Sequence, residues 1–384
     1  MKKIFKAFFK IIKKIWMRGY SVQNKIILES HPELAGNTNE VFEKLLEKNV
    51  NSKYKIYWLV EDKKKYKRYK VKNVKFLELQ PSSRKERLLK EYTIHRSKLI
   101  ITENRIIHKT NPDTFMLHLH HGTVLKDVSG IYNFGRGYNK ILCPSDHLVE
   151  LYTRLFRVSE DQIIVNGAPR NDLLLKPNDS LEKLGFSSFS KVLLWMPTFR
   201  QHKSGTRNDS AQNLPLGIPI LYSAADLEKL NNLLKSLNYL LVLKLHPSQD
   251  KSYLNIESLS NLVILEDTHL KEKDIKLYEF VGQTDALITD YSSIYYDYLL
   301  LNKPIGLTID DLDSYKLGFV YKDIEDYLVG EKMSNLQDLV TFVENLNQDS
   351  FKNDRQTISL KMNGQKNSGF CDALFEKLLK DILR

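Results

Sequence analysis

A chain of 384 residues is two to three times an ordinary domain of about 150, so a pair of domains is expected and a single small module is excluded. Hydrophobic residues at 42% and charged residues at 27% exclude a disordered or fibrous chain, and two cysteines, Cys143 and Cys371, exclude a disulfide framework and a zinc-ligand spacing. The net charge of +11 is unevenly placed, because seven cations and no acid occupy the first 18 residues.

That N-terminal segment reads as a helix. Ile4, Phe8, Ile11 and Ile15 share a stripe with Phe5, Phe9, Ile12 and Trp16, while Lys3, Lys6, Lys10 and Lys13 lie opposite. A lysine on every turn breaks the apolar run far short of a membrane span or a signal-peptide core. Residues 1–20 are therefore expected to lie on an anionic membrane surface as an amphipathic helix, the alternative being a helix packed on its own protein. A second basic run, Lys63 to Lys75, carries Tyr66 and Tyr69 between its charges. Lipid headgroups, an anionic acceptor or plain solvent all fit it, and no zinc finger, RNP-type motif or repeat marks nucleic acid as a partner.

Beyond residue 20, short apolar runs alternate with amphipathic stretches. Strands are expected at 25–28, 55–60, 74–77, 99–102, 115–119, 140–143 and 162–165, with helices at 39–48, 82–96 and 146–156. After the breaker-rich stretch 176–180 the alternation restarts, with strands at 192–196, 239–245, 262–265, 286–289 and 304–307 and helices at 224–236, 275–282 and 292–301. Strand, helix, strand order predicts parallel sheets with crossover helices, hence two doubly wound α/β domains, 21–180 and 181–384. The polar segment 201–219 is expected to be a mobile loop.

Open α/β sheets bind ligands beyond the carboxyl ends of their strands. His118, His120 and His121 fall there, ahead of Gly122, Thr123 and Lys126. An imidazole at this place can act as a general base, and Gly122 permits close approach of a substrate. Strand alternation separates His121 from the other two, which disfavours a shared metal; a satisfied histidine cluster is the alternative. Arg170, Asn171 and Asp172 follow another strand, as a binding turn or a simple helix cap. Arg200 offers a bidentate fork for phosphate, and Lys244 with His246 can supply charge and a donor to a phosphate oxygen or leaving group. In Thr289-Asp290-Tyr291-Ser292-Ser293 a buried strand runs into a helix whose first turn holds two hydroxyls, an anion site unless Ser292 is merely a cap. A diphosphate clamped opposite a base points to transfer from an activated nucleotide. The lack of a Walker A loop and of a complete G-x-G-x-x-G argues against a P-loop NTPase and a dinucleotide oxidoreductase.

Six motifs in order resemble one family across roughly residues 25 to 345. They are Glu29-Ser30 with Gly36 and Asn39; His121-Gly122-Thr123 with Leu125-Lys126; Gly167 with Pro169-Arg170-Asn171-Asp172; Pro197-Thr198 with Arg200; Lys244-Leu245-His246-Pro247; and Thr289-Asp290-Tyr291-Ser292-Ser293 with Asp297. The set resembles the CDP-glycerol glycerophosphotransferases, the teichoic-acid primases and polymerases. That resemblance implies a GT-B-like fold, two Rossmann-like domains facing a cleft, with the acceptor in the first and a CDP-alcohol donor in the second. It implies His121 as the base and His246 as a second catalytic residue that holds the diphosphate with Arg200, Ser292 and Ser293. Asp290 would bind the donor's alcohol or position the serines. Gly122, Thr123, Lys126, Arg170, Asn171, Asp172, Lys244, Thr289 and Asp297 are the remaining substrate-binding candidates. The resemblance further implies CDP-glycerol as donor, an undecaprenyl diphosphate-linked glycan as acceptor, no metal or cofactor, and a peripheral place on the cytoplasmic face of the membrane. His120 and Val124 stand where the family has Trp and Pro. CDP-ribitol as donor, or a GT-B nucleotide-sugar glycosyltransferase, are the alternatives; retention of all six motifs speaks against a noncatalytic scaffold.

Overall fold

The computed structural model describes residues 21–127, 137–198, 214–246, 249, 254, 259–312, 315, 318–365 and 368–384. The expected N-terminal helix, most of the expected 201–219 loop and Arg200 lie outside the described residues. The chain divides into two compact units, the first built from residues 21–121, 137–170 and 369–384 and the second from 122–127 and 171–368.

Among the described residues, unit 1 holds seven parallel strands: β1 (Gln23–Glu29), β2 (Lys55–Val60), β3 (Val74–Glu78), β4 (Ser97–Thr102), β5 (Phe115–His118), β6 (Lys140–Cys143) and β7 (Ile163–Val165). Their order is β3-β2-β1-β4-β5-β6-β7, so the direction of winding reverses between β1 and β4. Ile26, Ile27 and Leu28 of β1 and Leu99, Ile100 and Ile101 of β4 are all fully buried, because helices cover both faces and only continuous apolar runs satisfy such strands. Helix α1 (Gly36–Glu47) buries Val41, Phe42 and Leu45, with Phe42 edge-on to Trp58 at 5.5 Å. Helix α2 (Arg84–His95) is capped by the Ser83 hydroxyl, which accepts from the Glu86 amide at 3.1 Å, and α3 (Val149–Phe156) follows β6.

The compact units are not continuous in sequence, whereas the sequence reading placed a single boundary near residue 180. The division falls at 170/171, residues 122–127 join unit 2, and the C-terminal helical run beginning at Phe370–Leu374 returns to unit 1. Cys371, Leu374, Phe375 and Leu379 pack into the same core as Ile26, Leu28 and Trp58. A Cβ on Gly167 would meet the Phe370 ring at 2.1 Å, so this glycine makes room for the returning helix.

Unit 2 carries β8 (Lys191–Met196), β9 (Tyr239–Leu243), β10 (Leu262–Ile264), β11 (Ala286–Thr289), β12 (Ile305–Leu307) and β13 (Glu331–Lys332), parallel in the order β10-β9-β8-β11-β12-β13. Winding reverses between β8 and β11. Helices α4 (Ala224–Leu237), α5 (Leu277–Gln283), α6 (Ile294–Tyr298), α7 (Leu336–Glu344) and α8 (Lys352–Asn363) accompany the sheet. The end of the expected mobile loop is core instead: Leu216 and Ile218, with Ile220 and Leu221 just after the loop, are buried in one cluster with Leu227, Leu230 and Trp195. No helix among the described residues is long and apolar enough to cross a membrane.

Candidate active site

Two carboxyl groups lie inside unit 1 at the point where its winding reverses. Glu29, the last residue of β1, is fully buried and its Oε2 accepts from the amides of Glu103, Asn104 and Arg105 at 3.2, 3.2 and 3.0 Å. Glu103, one residue past β4, accepts from the amides of Asn37 and Thr38 at 3.1 and 2.9 Å. Those amides belong to the first turn of α1, where free N–H groups and the helix dipole favour a carboxylate. Gly36 is what lets the carboxylate in: its φ is +69°, and a Cβ there would stand 2.4 Å from a Glu103 oxygen. Burial pushes the Glu103 carboxyl up to about 7, against the opposing pull of Arg170, whose Nη1 lies 4.0 Å away, and of the two amides.

The same corner receives the two motif segments of unit 1. His120 has a left-handed backbone, φ +53°, and its carbonyl accepts from Asn37 Nδ2 at 2.7 Å. Asn37 Oδ1 in turn accepts from the Arg170 amide at 3.0 Å. One buried side-chain amide therefore ties the residue before His121 to Arg170 itself. The His121 ring stacks on His120 at 4.8 Å, and its Nδ1 is buried without a hydrogen-bond partner among the described residues. Burial pushes the His121 pKa down to about 4; the Arg170 charge acts in the same sense and the Glu103 carbonyl opposes it. The imidazole is then neutral at pH 7, the state a general base requires. His118 instead closes β5 inside the core, its Nδ1 2.8 Å from Thr102 Oγ1. The expected alternation of the histidines stops short, since the strand ends at His118, His120 turns into the left-handed region, and its ring stacks on that of His121 rather than lying on the opposite face.

Glu103 yields a pH prediction. A carboxyl whose folded pKa is raised holds its proton in the native state between its unfolded value, near 4.5, and about 7, so this contribution to stability is complete below 4.5 and is lost as pH rises through 7. Glu103→Gln cannot lose that proton. Its melting temperature relative to the parent is expected to climb between pH 5 and pH 8, and a difference constant with pH would contradict the raised pKa.

In unit 2 the corresponding reversal lies between Met196 and Thr289, which are in register. Thr289 Oγ1 donates to the Met196 carbonyl at 2.7 Å. Asp290, fully buried, takes the Thr198 amide on both oxygens at 2.8 and 2.9 Å. Lys126 Nζ reaches Thr198 Oγ1 at 3.3 Å and stands 5.6 Å from the Tyr315 ring centroid, while its backbone bridges Phe319. The lysine that follows the His121 motif in sequence thus lies in unit 2, at the threonine whose amide Asp290 holds. Asn171 Nδ2 donates to Asp297 Oδ1 at 2.9 Å and the Tyr278 hydroxyl to Oδ2 at 2.5 Å, so Asn171 and Asp297 hold each other. Ser292 and Ser293 are half-buried just ahead of α6, and Ser293 has helical backbone and makes no capping bond. Lys244 is buried and ion-paired with Asp267 at 2.7 Å; His246, farther along, is exposed. Gly122 and Asp172 are half-buried and Thr123 is buried.

Glu103, Asn37 and Tyr278 escaped the sequence reading. Glu103 alone left a signal, an acid directly after a buried strand; the other two act through contacts 83 and 19 residues away in sequence.

A model of the CDP-glycerol:poly(glycerophosphate) glycerophosphotransferase family matches residues 11–369. The chain is 26% identical over 267 residues to the teichoic acid glycerol-phosphate transferase of Staphylococcus aureus, covering 62% of this chain and 64% of that protein. It is 22% identical over 373 residues to the teichoic acid ribitol-phosphate polymerase TarK of the same organism, covering 89% of this chain and 65% of that protein. It therefore spans less than two thirds of either relative. Among solved structures, the wall teichoic acid polymerase TagF superposes with a TM-score of 0.74 over 100% of this chain and 98% of that one, at 19% identity, a likeness of fold.

Proposed function

The chain belongs to the CDP-glycerol:poly(glycerophosphate) glycerophosphotransferase family, and from that premise we propose that it transfers glycerol phosphate from CDP-glycerol to a hydroxyl of a lipid-linked glycan, releasing CMP. The observation that carries the donor reading is the constellation in unit 2: Asp290 fixing the Thr198 amide, Lys126 at the Thr198 hydroxyl, and the Ser292 and Ser293 hydroxyls where β11 gives way to α6. Hydroxyls, a cation and an immobilised turn suit a diphosphate, and phosphoryl transfer needs chiefly positioning and fixed charge. The acceptor oxygen forms the new bond to the phosphorus that bears glycerol. The bond from that phosphorus to the bridging oxygen breaks, and CMP departs with the electron pair. His121, neutral through burial, takes the acceptor's proton. Arg200 and His246 are assigned to the charge of the departing phosphate, and Arg170 to the acceptor. The enzyme works peripherally at the cytoplasmic face of the membrane, with residues 1–20 as one anchor and undecaprenyl diphosphate as the acceptor's carrier.

The test is incubation with CDP-glycerol and a lipid-diphosphate disaccharide, following CMP and the mass of the lipid. CMP together with added glycerol phosphate masses is expected. CMP from CDP-ribitol alone would move the assignment to ribitol phosphate, a reading that the similarity to TarK favours; release of a nucleoside diphosphate from a sugar nucleotide would move it to a glycosyltransferase. The double variant Ser292→Ala, Ser293→Ala is expected to weaken CDP-glycerol binding by about tenfold or more, two hydrogen bonds to a charged group being lost. Unchanged affinity by calorimetry would take the serines out of the donor site.

A further inference from the structure

Helix α2 is unusual among the helices of unit 1 in what it leaves outside. It buries only Thr93 and His95, and Leu88 and Leu89 in its middle are 53% and 52% exposed, the two most exposed large apolar side chains among the described residues. Arg84 and Lys85, also exposed, lie one turn before them on the same side, three to four residues being one helical turn. Lys63 is ion-paired with Glu86, which fastens the start of the basic run Lys63 to Lys75 to the first turn of α2. That run contains no acid, and Lys64, Lys65, Lys67 and Arg68 are all exposed.

The tyrosines of the run point the other way. Tyr66 stacks on Phe76 at 4.5 Å and donates its hydroxyl to Glu33 at 2.5 Å, and Tyr69 meets Phe76 edge-on at 5.3 Å. Both rings are engaged with Phe76, which disfavours their use as stacking platforms for nucleic-acid bases. What remains is a pair of leucines rimmed by cations. A soluble polyanion would satisfy the charges and leave the leucines wet, whereas the boundary of an anionic bilayer satisfies both.

We propose that the outer face of α2 and the adjoining loop 63–73 form a docking surface for an anionic phospholipid bilayer, with Leu88 and Leu89 entering the acyl boundary and the surrounding cations meeting headgroup phosphates. The surface is built from residues other than 1–20 and does not depend on which alcohol the donor carries, since its test reads lipid contact and not turnover.

The test uses the full chain with an environment-sensitive NBD fluorophore on Leu89→Cys; the native Cys143 and Cys371 are buried. Vesicles of phosphatidylglycerol and phosphatidylcholine are expected to shift the emission to the blue and raise its intensity, and nitroxide-labelled acyl chains to quench it. The same probe on Leu360→Cys, 48% exposed on α8 of unit 2, is expected to keep its aqueous spectrum. Replacing Lys64, Lys65, Lys67 and Arg68 by Gln is expected to raise the lipid needed for half the shift by about tenfold or more. A Leu89 probe that stays aqueous while the protein sediments with vesicles would overturn the proposal. So would an equal response at Leu360, an equal blue shift with soluble polyphosphate, or a lipid requirement indifferent to the four Gln substitutions.

Discussion

His121→Ala is expected to lower kcat with CDP-glycerol by about 10²-fold or more while leaving the Kd for CDP-glycerol little changed. The split follows from where the residue sits. His121 belongs to unit 1, and the hydroxyls, cation and turn assigned to the donor belong to unit 2. The ring is neutral because burial, seconded by Arg170, pushes its pKa down to about 4. For a cationic acid the sign is plain: lowering the pKa extends the deprotonated, proton-accepting form downward in pH. The profile of kcat/KM, which reports the free enzyme, is therefore expected to stay level from pH 7 to about pH 5 and to fall only near 4, well below the ordinary histidine value of 6.5. Wild-type turnover in the variant would remove His121 from the chemistry. An acid limb at 6.5 belonging to His121 would mean that the imidazole is solvated, contrary to the burial of its Nδ1 in an otherwise half-buried side chain.

The sheets were legible because strands buried on both faces must be runs of aliphatic residues, as in Ile56 to Val60 and Ala286 to Thr289. Strand β13 was not, since Glu331 and Lys332 are two exposed polar residues whose pairing with β12 is set by neighbours rather than by their own pattern. The return of the C-terminal helix was equally hidden. Its partners, Gly167 and the Asn166 amide that donates to the Phe370 carbonyl at 3.0 Å, are more than 200 residues upstream. Gly167, grouped by sequence with the substrate-binding turn, is filled by an aromatic ring. The motifs singled out residues without giving the contacts they make. Asp290, expected to meet the donor's alcohol or the serines, spends both oxygens on the Thr198 amide, and Lys126, sequence neighbour of His121, is found beside that threonine. A contact between two loops has no period, so hydropathy patterning cannot report it.

Asn37 is the sharpest case, and its removal is the second large effect. Asn37→Ala takes a donor from the His120 carbonyl and an acceptor from the Arg170 amide, bonds of 2.7 and 3.0 Å around a side chain that is 1% exposed. Each of the two buried groups left unpaired costs about 1–3 kcal/mol, so a loss of roughly 2–6 kcal/mol and a melting temperature lower by several degrees are expected. Activity should fall further than stability alone dictates, with kcat reduced more than the KM for CDP-glycerol, because the freed backbone groups are Arg170 itself and the residue before His121. Asn37→Asp separates the two bonds. Its carboxylate keeps an acceptor for the Arg170 amide but turns acceptor against acceptor at the His120 carbonyl, and it adds charge beside Glu103. Protonation restores a donor, so the folded state raises the pKa of the new acid, and the stability this provides is present at low pH and lost as pH rises. Asn37→Asp should therefore approach the parent in melting temperature near pH 5 and fall toward Asn37→Ala near pH 8. Parallel pH profiles for the two variants would show that the His120 bond contributes nothing, and the coupling of the two motifs through Asn37 would fail with it.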